Sequence, residues 1–123
     1  MNVVDTSGWL EYFADGKNAP FFAPPIEDTM NLLVPVMCVY EVFKKIFQEQ
    51  GQGAAELRIA DLYNGQILDL TAPIAISAAK ISAELKLPMA DSIILSTARY
   101  YRASLWTQDE HFKDIPTVQY IKK

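Results

Sequence analysis

The 123-residue chain has one cysteine, one histidine and no apolar run near the roughly 18–20 residues that would cross a bilayer. Each scarcity excludes something. Cys38 alone cannot close an internal disulfide, which suits a reducing, cytoplasmic setting. No basic stretch precedes the first apolar residues, so neither a signal peptide nor membrane attachment is expected. Phosphate-cradling GxGxxG and Walker-type loops, a Cys-x-x-Cys pair and a nucleophile elbow are all missing. Basic residues are few, 11 against 15 acids for a net charge of −4, which argues against a broadly basic nucleic-acid binder. A metal-dependent one remains open, because a cluster of acids could account for the whole excess.

What is present is a globular composition, 50% apolar and 21% charged, at a length that suits one domain over residues 1–123. Its organising stretch is Asn2-Val3-Val4-Asp5-Thr6-Ser7, an apolar strand that ends on a carboxylate and runs into a helix start. Such a strand is expected at the centre of a parallel α/β sheet. Ligands bind outside the carboxyl ends of these strands, where Asp5 falls. Asp5 could also serve only to cap the following helix.

Along the chain, residues 8–14 read as a helix with an aromatic surface, followed by a Pro-rich connection through residues 18–25 and a short helix over 26–30. Residues 32–34 form a strand that feeds a helix over 35–50, with Val39, Val42, Phe43, Ile46 and Phe47 as its core face. Glu41 lies opposite them on the wheel, as a solvated acid paired with Lys44 and Lys45, or as an acid facing the same crevice as Asp5. A helix over 54–63, a strand over 67–70 and a helix over 73–85 follow, the last apolar at Ile74, Ala78, Ile81 and Leu85. Asp69 is a polar residue at a strand end. In the next helix, reaching to about 102, Asp91 stands in the first turn at the edge of an apolar stripe. The helix macrodipole and a metal-ligand role would each favour an acid there. A strand over 103–107, a turn at 114–116 and an edge strand over 118–121 complete the pattern, with Asp109 two residues past a strand end.

In a parallel sheet, strand carboxyl ends and the helix N-termini that follow share one edge. Asp5, Glu41, Asp91 and Asp109 would therefore meet there. Clustered carboxylates repel, and hard divalent cations relieve the repulsion. Two such ions can activate a water and stabilise the leaving oxygen of a phosphodiester. His111, beside Asp109, is assigned a surface role.

Val4-Asp5-Thr6-Ser7, Val39-Tyr40-Glu41-Val42, Ala90-Asp91-Ser92-Ile93-Ile94 and Thr107-Gln108-Asp109-Glu110-His111-Phe112 resemble, in order and spacing, the acidic motifs of PIN-domain proteins. The short chain is similar to the toxin half of VapBC toxin–antitoxin pairs. The resemblance covers essentially the whole sequence. It implies a three-layer α/β/α sandwich with a mostly parallel central sheet, and an endoribonuclease using Mg²⁺ or Mn²⁺ held by Asp5, Glu41, Asp91 and Asp109. Thr107 matches the family's Thr that steadies the site by hydrogen bonding, and Thr6 joins it in support. Met37-Cys38 depart from the small hydroxyl residues common there. The substrate would be an exposed loop of a structured RNA such as tRNA or rRNA, with Lys44, Lys45, Arg99, Arg102 and Lys113 contacting phosphates. A silent PIN scaffold that binds RNA or protein, and a DNA-directed nuclease or phosphatase, are the alternatives. The implied partners are a cognate antitoxin and a second copy in a homodimer. Trp9, Tyr12, Phe13, Phe21 and Phe22 are more rings than one short helix and a loop can bury. They are the candidate antitoxin-binding surface, a groove beside Asp5.

Overall fold

The computed structural model describes residues 1–123. The chain alternates strands and helices: β1 (Asn2–Val4), α1 (Thr6–Phe13), α2 (Ala19–Glu27), a 3₁₀ turn (Thr29–Asn31), β2 (Leu32–Pro35), α3 (Val36–Gln50) and α4 (Gln52–Leu62). After these come β3 (Gln66–Leu68), α5 (Ala72–Leu85), α6 (Met89–Tyr100), β4 (Ser104–Thr107), a second 3₁₀ turn (Glu110–Phe112) and β5 (Val118–Tyr120). The strands form one sheet in the order β3-β2-β1-β4-β5. Every pairing is parallel, and helices flank the sheet in the expected α/β architecture. No helix is long and apolar enough to cross a membrane.

Position in the sheet follows burial. β1 and β2 are short runs, apolar but for Asn2, and Val3, Val4, Leu32, Leu33 and Val34 are all buried, as central parallel strands require. The strand order reverses between β1 and β4, which opens a crevice at their carboxyl ends. Val4 pairs with Trp106, so the next residue of each strand, Asp5 and Thr107, stand side by side at that crevice.

One element departs from the sequence reading. Residues 18–25 are not a loop, and no separate helix begins at residue 26; α2 runs from Ala19 to Glu27 straight through Pro24 and Pro25. The prolines lack two helical N–H donors. The penalty is overridden because Ala19, Phe22, Pro25 and Ile26 recur at helical spacing and are all buried. The same packing corrects the aromatic surface: Trp9 and Phe22 are fully buried, and only Tyr12, Phe13 and Phe21 keep partial exposure. Trp9 Nε1 is buried without a hydrogen-bond partner, so its ring is held by packing alone. On α3, the core face is Cys38, Val42 and Ile46, while Phe47 projects outward and stacks on Phe43. On α5, Ile74, Ala78 and Ile81 are buried but Leu85 is exposed.

Gly8 permits a close approach to the buried core. A methyl there would meet the Phe22 ring at 2.6 Å and Val4 at 2.7 Å, both fully buried and unable to retreat. Gly8→Ala is expected to lower stability by about 1–3 kcal/mol through overpacking. Gly53→Ala in α4, where nothing lies within 4 Å, is expected to be neutral or mildly stabilising. Denaturant midpoints of the two variants measure the contrast.

Candidate metal centre at the carboxyl edge of the sheet

The crevice brings the four acids to one edge at graded depths. Asp5 is the deepest, 3% exposed. Its Oδ1 accepts hydrogen bonds from the Ser7 hydroxyl at 2.8 Å and the Gly8 amide at 3.1 Å, so it caps α1 as well as facing the crevice. Its Oδ2 accepts from the Thr107 hydroxyl at 2.8 Å. Thr107 Oγ1 also accepts from the Asp109 amide at 2.9 Å, and this one hydroxyl joins the two strand ends.

Glu41, in the second turn of α3, accepts from Thr6 Oγ1 at 2.6 Å. The wheel reading, an acid paired with Lys44 and Lys45, does not hold. Lys45 pairs instead with Glu49 at 3.0 Å, and Lys44 lies 5.7 Å from the Tyr40 ring centre. Beneath Glu41, the Cys38 thiol donates to the Val4 carbonyl at 3.6 Å and ties α3 to β1. Burial pushes its pKa well above the ordinary thiol value, with Asp5 and then Glu41 adding to the shift, so it stays protonated and inert.

Asp91 and Asp109 stand nearer the rim. Asp91 Oδ2 lies 2.9 Å from His111 Nδ1, and Asp109 Oδ1 lies 3.1 Å from the same nitrogen. Asp109 also accepts from the His111 amide at 2.9 Å, which caps the second 3₁₀ turn. His111 is at the surface, as expected, but it also reaches the acids. Its ring is half exposed, yet Nδ1 bridges two of the acids. Asp91, Asp109 and His111 form a group whose donor atoms lie within 4.8 Å of one another. Behind the site, Asn18 Nδ2 donates to Gln108 Oε1 at 2.9 Å and to the Lys122 carbonyl at 3.1 Å, and Glu11 accepts from the Asn18 amide at 2.9 Å. This buried amide pair escaped sequence reasoning because its partners are far apart in the chain.

Of the basic residues, Lys44 and Lys45 border a hollow of about 230 Å³ that also contains Thr6 and Glu41. Lys113 follows the second 3₁₀ turn and is exposed. Arg99 and Arg102 are misplaced in the sequence reading. They lie at the end of α6 and just before β4, around a hollow with Ser104 and Thr117 at the amino edge of the sheet. A helix that begins at the carboxyl edge must return the chain to the opposite edge, so Arg99 ends roughly 12 Å along the axis from Asp91.

The electrostatics follow the geometry. Burial raises Asp5 from 3.8 to about 7, against the pull of its three hydrogen bonds, and the Asp109 charge adds to the shift. Burial and Asp109 also raise Asp91, and His111 moderates the effect. His111 is raised chiefly by Asp109.

For Asp5 the native state therefore binds more protons than the unfolded state between about pH 4 and 7. The associated stability is present below pH 4 and is lost as pH rises through about 7. His111, also raised, acts in the same direction. In chelator-treated protein, Asp5→Asn is expected to be more stable than wild type at pH 8, by on the order of 3 kcal/mol. The gap should be much smaller at pH 5 and close only below about pH 4. Thermal melts of both proteins at the two pH values measure it, and a gap independent of pH would contradict the assignment.

The sequence matches the PIN domain family over residues 3–118. No curated protein sequence matches it. Among solved structures it is similar to a toxin–antitoxin complex from Klebsiella pneumoniae, with 25% identity and a TM-score of 0.76 over 96% of this chain and 95% of that one. It shares its fold with Mycobacterium tuberculosis VapC20, a Sarcin-Ricin loop cleaving toxin, with 14% identity and a TM-score of 0.79 over 97% and 98% of the two chains. The same holds for FitAcB from Neisseria gonorrhoeae, with 16% identity and a TM-score of 0.76 over 99% and 97%. With the family match spanning nearly the whole sequence and the parallel sheet carrying an acidic carboxyl edge, this chain belongs to the PIN domain family.

Proposed function

We propose that the chain is a VapC-type toxin, an endoribonuclease that hydrolyses RNA with the help of Mg²⁺ or Mn²⁺ and is held in check by a cognate antitoxin. The observation that carries the proposal is the gathering of Asp5, Glu41, Asp91 and Asp109 on one edge, two of them pushed up in pKa by burial and by their neighbours. Such a donor set fits a hard divalent cation: it is rich in oxygen, short of other cations, and destabilised when ionised without one.

Asp5, Asp91 and Asp109 would hold the ion, with Glu41 completing the site. When bound, the ion supplies a water of lowered pKa and a positive charge against the phosphate. Thr107 holds Asp5 and Asp109 in fixed relation. Glu41, with Oε1 engaged by Thr6, keeps Oε2 free to accept a proton from the attacking water and orient it. Lys44, Lys45 and Lys113 would be the phosphate contacts, while Arg99 and Arg102 lie at the opposite edge of the sheet. So few contacts imply modest, salt-sensitive RNA affinity. An exposed loop of a structured RNA such as tRNA or rRNA suits this shallow edge, because unstacked bases present their edges there. The Sarcin-Ricin loop cleavage by the M. tuberculosis neighbour is in keeping with such a substrate.

Burial takes Trp9 and Phe22 out of the candidate antitoxin surface and leaves Tyr12, Phe13 and Phe21; a second candidate lies on α3 and α4. An apolar groove of about 530 Å³ between α3 and α4, lined by Tyr40, Phe43, Phe47 and Tyr63, shares Tyr40 and Lys44 with the hollow beside Glu41. An antitoxin segment seated in that groove would reach the acidic edge. The exposed side chains Ile76, Met89 and Tyr100 on α5 and α6 are the surface a homodimer would cover.

Asp91→Asn is expected to cut RNA cleavage by more than about 100-fold while leaving the melting temperature of the metal-free protein unchanged or raised, since one of several repelling acids is gone. Cleavage by wild type should stop with a chelator and return with Mg²⁺ or Mn²⁺. Full, chelator-sensitive activity in the Asn variant would remove Asp91 from the site, and equal cleavage of duplex DNA would replace the ribonuclease with a general nuclease.

A further inference from the structure

His111 is the side chain at this edge that the four-acid reading leaves without a role. We propose, on the basis of that reading, that His111 binds the cation directly through Nδ1, so that the centre selects a first-row transition ion such as Mn²⁺ over Mg²⁺. Two neighbouring ligands of an octahedral ion, each about 2.1 Å from it, stand about 3.0 Å apart. Nδ1 lies 2.9 Å from Asp91 Oδ2 and 3.1 Å from Asp109 Oδ1. Each carboxylate oxygen thus stands at adjacent-corner spacing from Nδ1, and the donor atoms of the three residues all lie within 4.8 Å of one another, so an ion could take the place of the contacts that Nδ1 makes.

The local fold presents the ring in this position. The Asp109 carboxylate caps the 3₁₀ turn by accepting from the His111 amide, and the fully buried Phe112 pins that turn to the core. His111 itself is half exposed, and Nε2 has no protein partner, so packing does not explain the placement. Mg²⁺ prefers oxygen donors and keeps its waters, whereas imidazole favours transition ions. Mn²⁺ tolerates both kinds of donor and octahedral geometry. One imidazole among carboxylates therefore tilts the site towards Mn²⁺ without excluding Mg²⁺.

The competing role is a plain hydrogen bond that quiets two repelling acids, and it carries no selectivity between ions. Calorimetric titration of the full chain with MnCl₂ and with MgCl₂ separates the two, using wild type, His111→Ala, His111→Gln and Asp91→Asn. Wild type is expected to favour Mn²⁺ by about 10-fold or more. His111→Ala should lose about 10-fold or more in Mn²⁺ affinity with Mg²⁺ affinity nearly unchanged, and His111→Gln, which offers an amide oxygen, should narrow the preference. Electron spin-echo spectra of bound Mn²⁺ should show coupling to a directly bound ring nitrogen in wild type and none in His111→Ala. Equal weakening of both ions, or a Mn²⁺ signal without that coupling, would overturn the His111 ligand. If Asp91→Asn abolishes binding of both ions while His111→Ala changes nothing, only the His111 ligand fails. If Asp91→Asn leaves Mn²⁺ binding intact, the four-acid reading fails with it.

Discussion

Burial of a single carboxylate at the end of the central strand sets the terms for the rest of the structure. A charge removed from water is costly unless donors or cations replace the solvent. Asp5 has three donors and still prefers to hold its proton up to about pH 7. The neighbouring sequence serves this residue. Ser7 and Gly8 supply donors as α1 begins, and the absence of a side chain at Gly8 lets that helix sit against Phe22 and Val4. Parallel pairing of β1 with β4 sets Thr107 beside it, and Thr107 in turn holds the backbone of Asp109.

The other acids are less buried and more adaptable. Asp91 and Asp109 lean on one imidazole, and Glu41 is reached from across the crevice by Thr6. This gradation, from a fixed buried acid to partly solvated ones, is suited to drawing in an ion from solution. Three hydrogen bonds hold Asp5 at the inner end of the site, while Asp91 and Asp109 lie nearer to solvent. Parallel sheets with a crevice at the strand reversal host many chemistries, so the functional reading rests on the acids and their environment rather than on the architecture.

The α/β alternation was legible because apolar periodicity changes clearly between short strands and amphipathic helices. Asp5 and Asp109 were legible because parallel topology gives the position just past a strand end a defined meaning. Glu41 was not legible from its own helix: a wheel shows solvent and lysines, whereas the deciding contact comes from Thr6, 35 residues away. The prolines of α2 spoke for a loop, and only tertiary burial of Phe22, Pro25 and Ile26 shows why they stand in a helix. The excess of rings near the start was visible, but not that Trp9 and Phe22 fill the core while Phe43 and Phe47 line an open groove. Charge alone marks Arg99 and Arg102, and it does not tell which edge of the sheet their helix reaches. His111 carries no periodic signal in its turn, and its bridge to Asp91 spans 20 residues.

Anomalous diffraction from crystals of the full chain soaked in Mn²⁺ tests most directly whether this edge is a metal centre. A strong anomalous peak bounded by the carboxylates of Asp5, Asp91 and Asp109 is the expected result. A map with no peak there at saturating Mn²⁺, or with the ion bound elsewhere while those three acids keep their present hydrogen bonds, would contradict it.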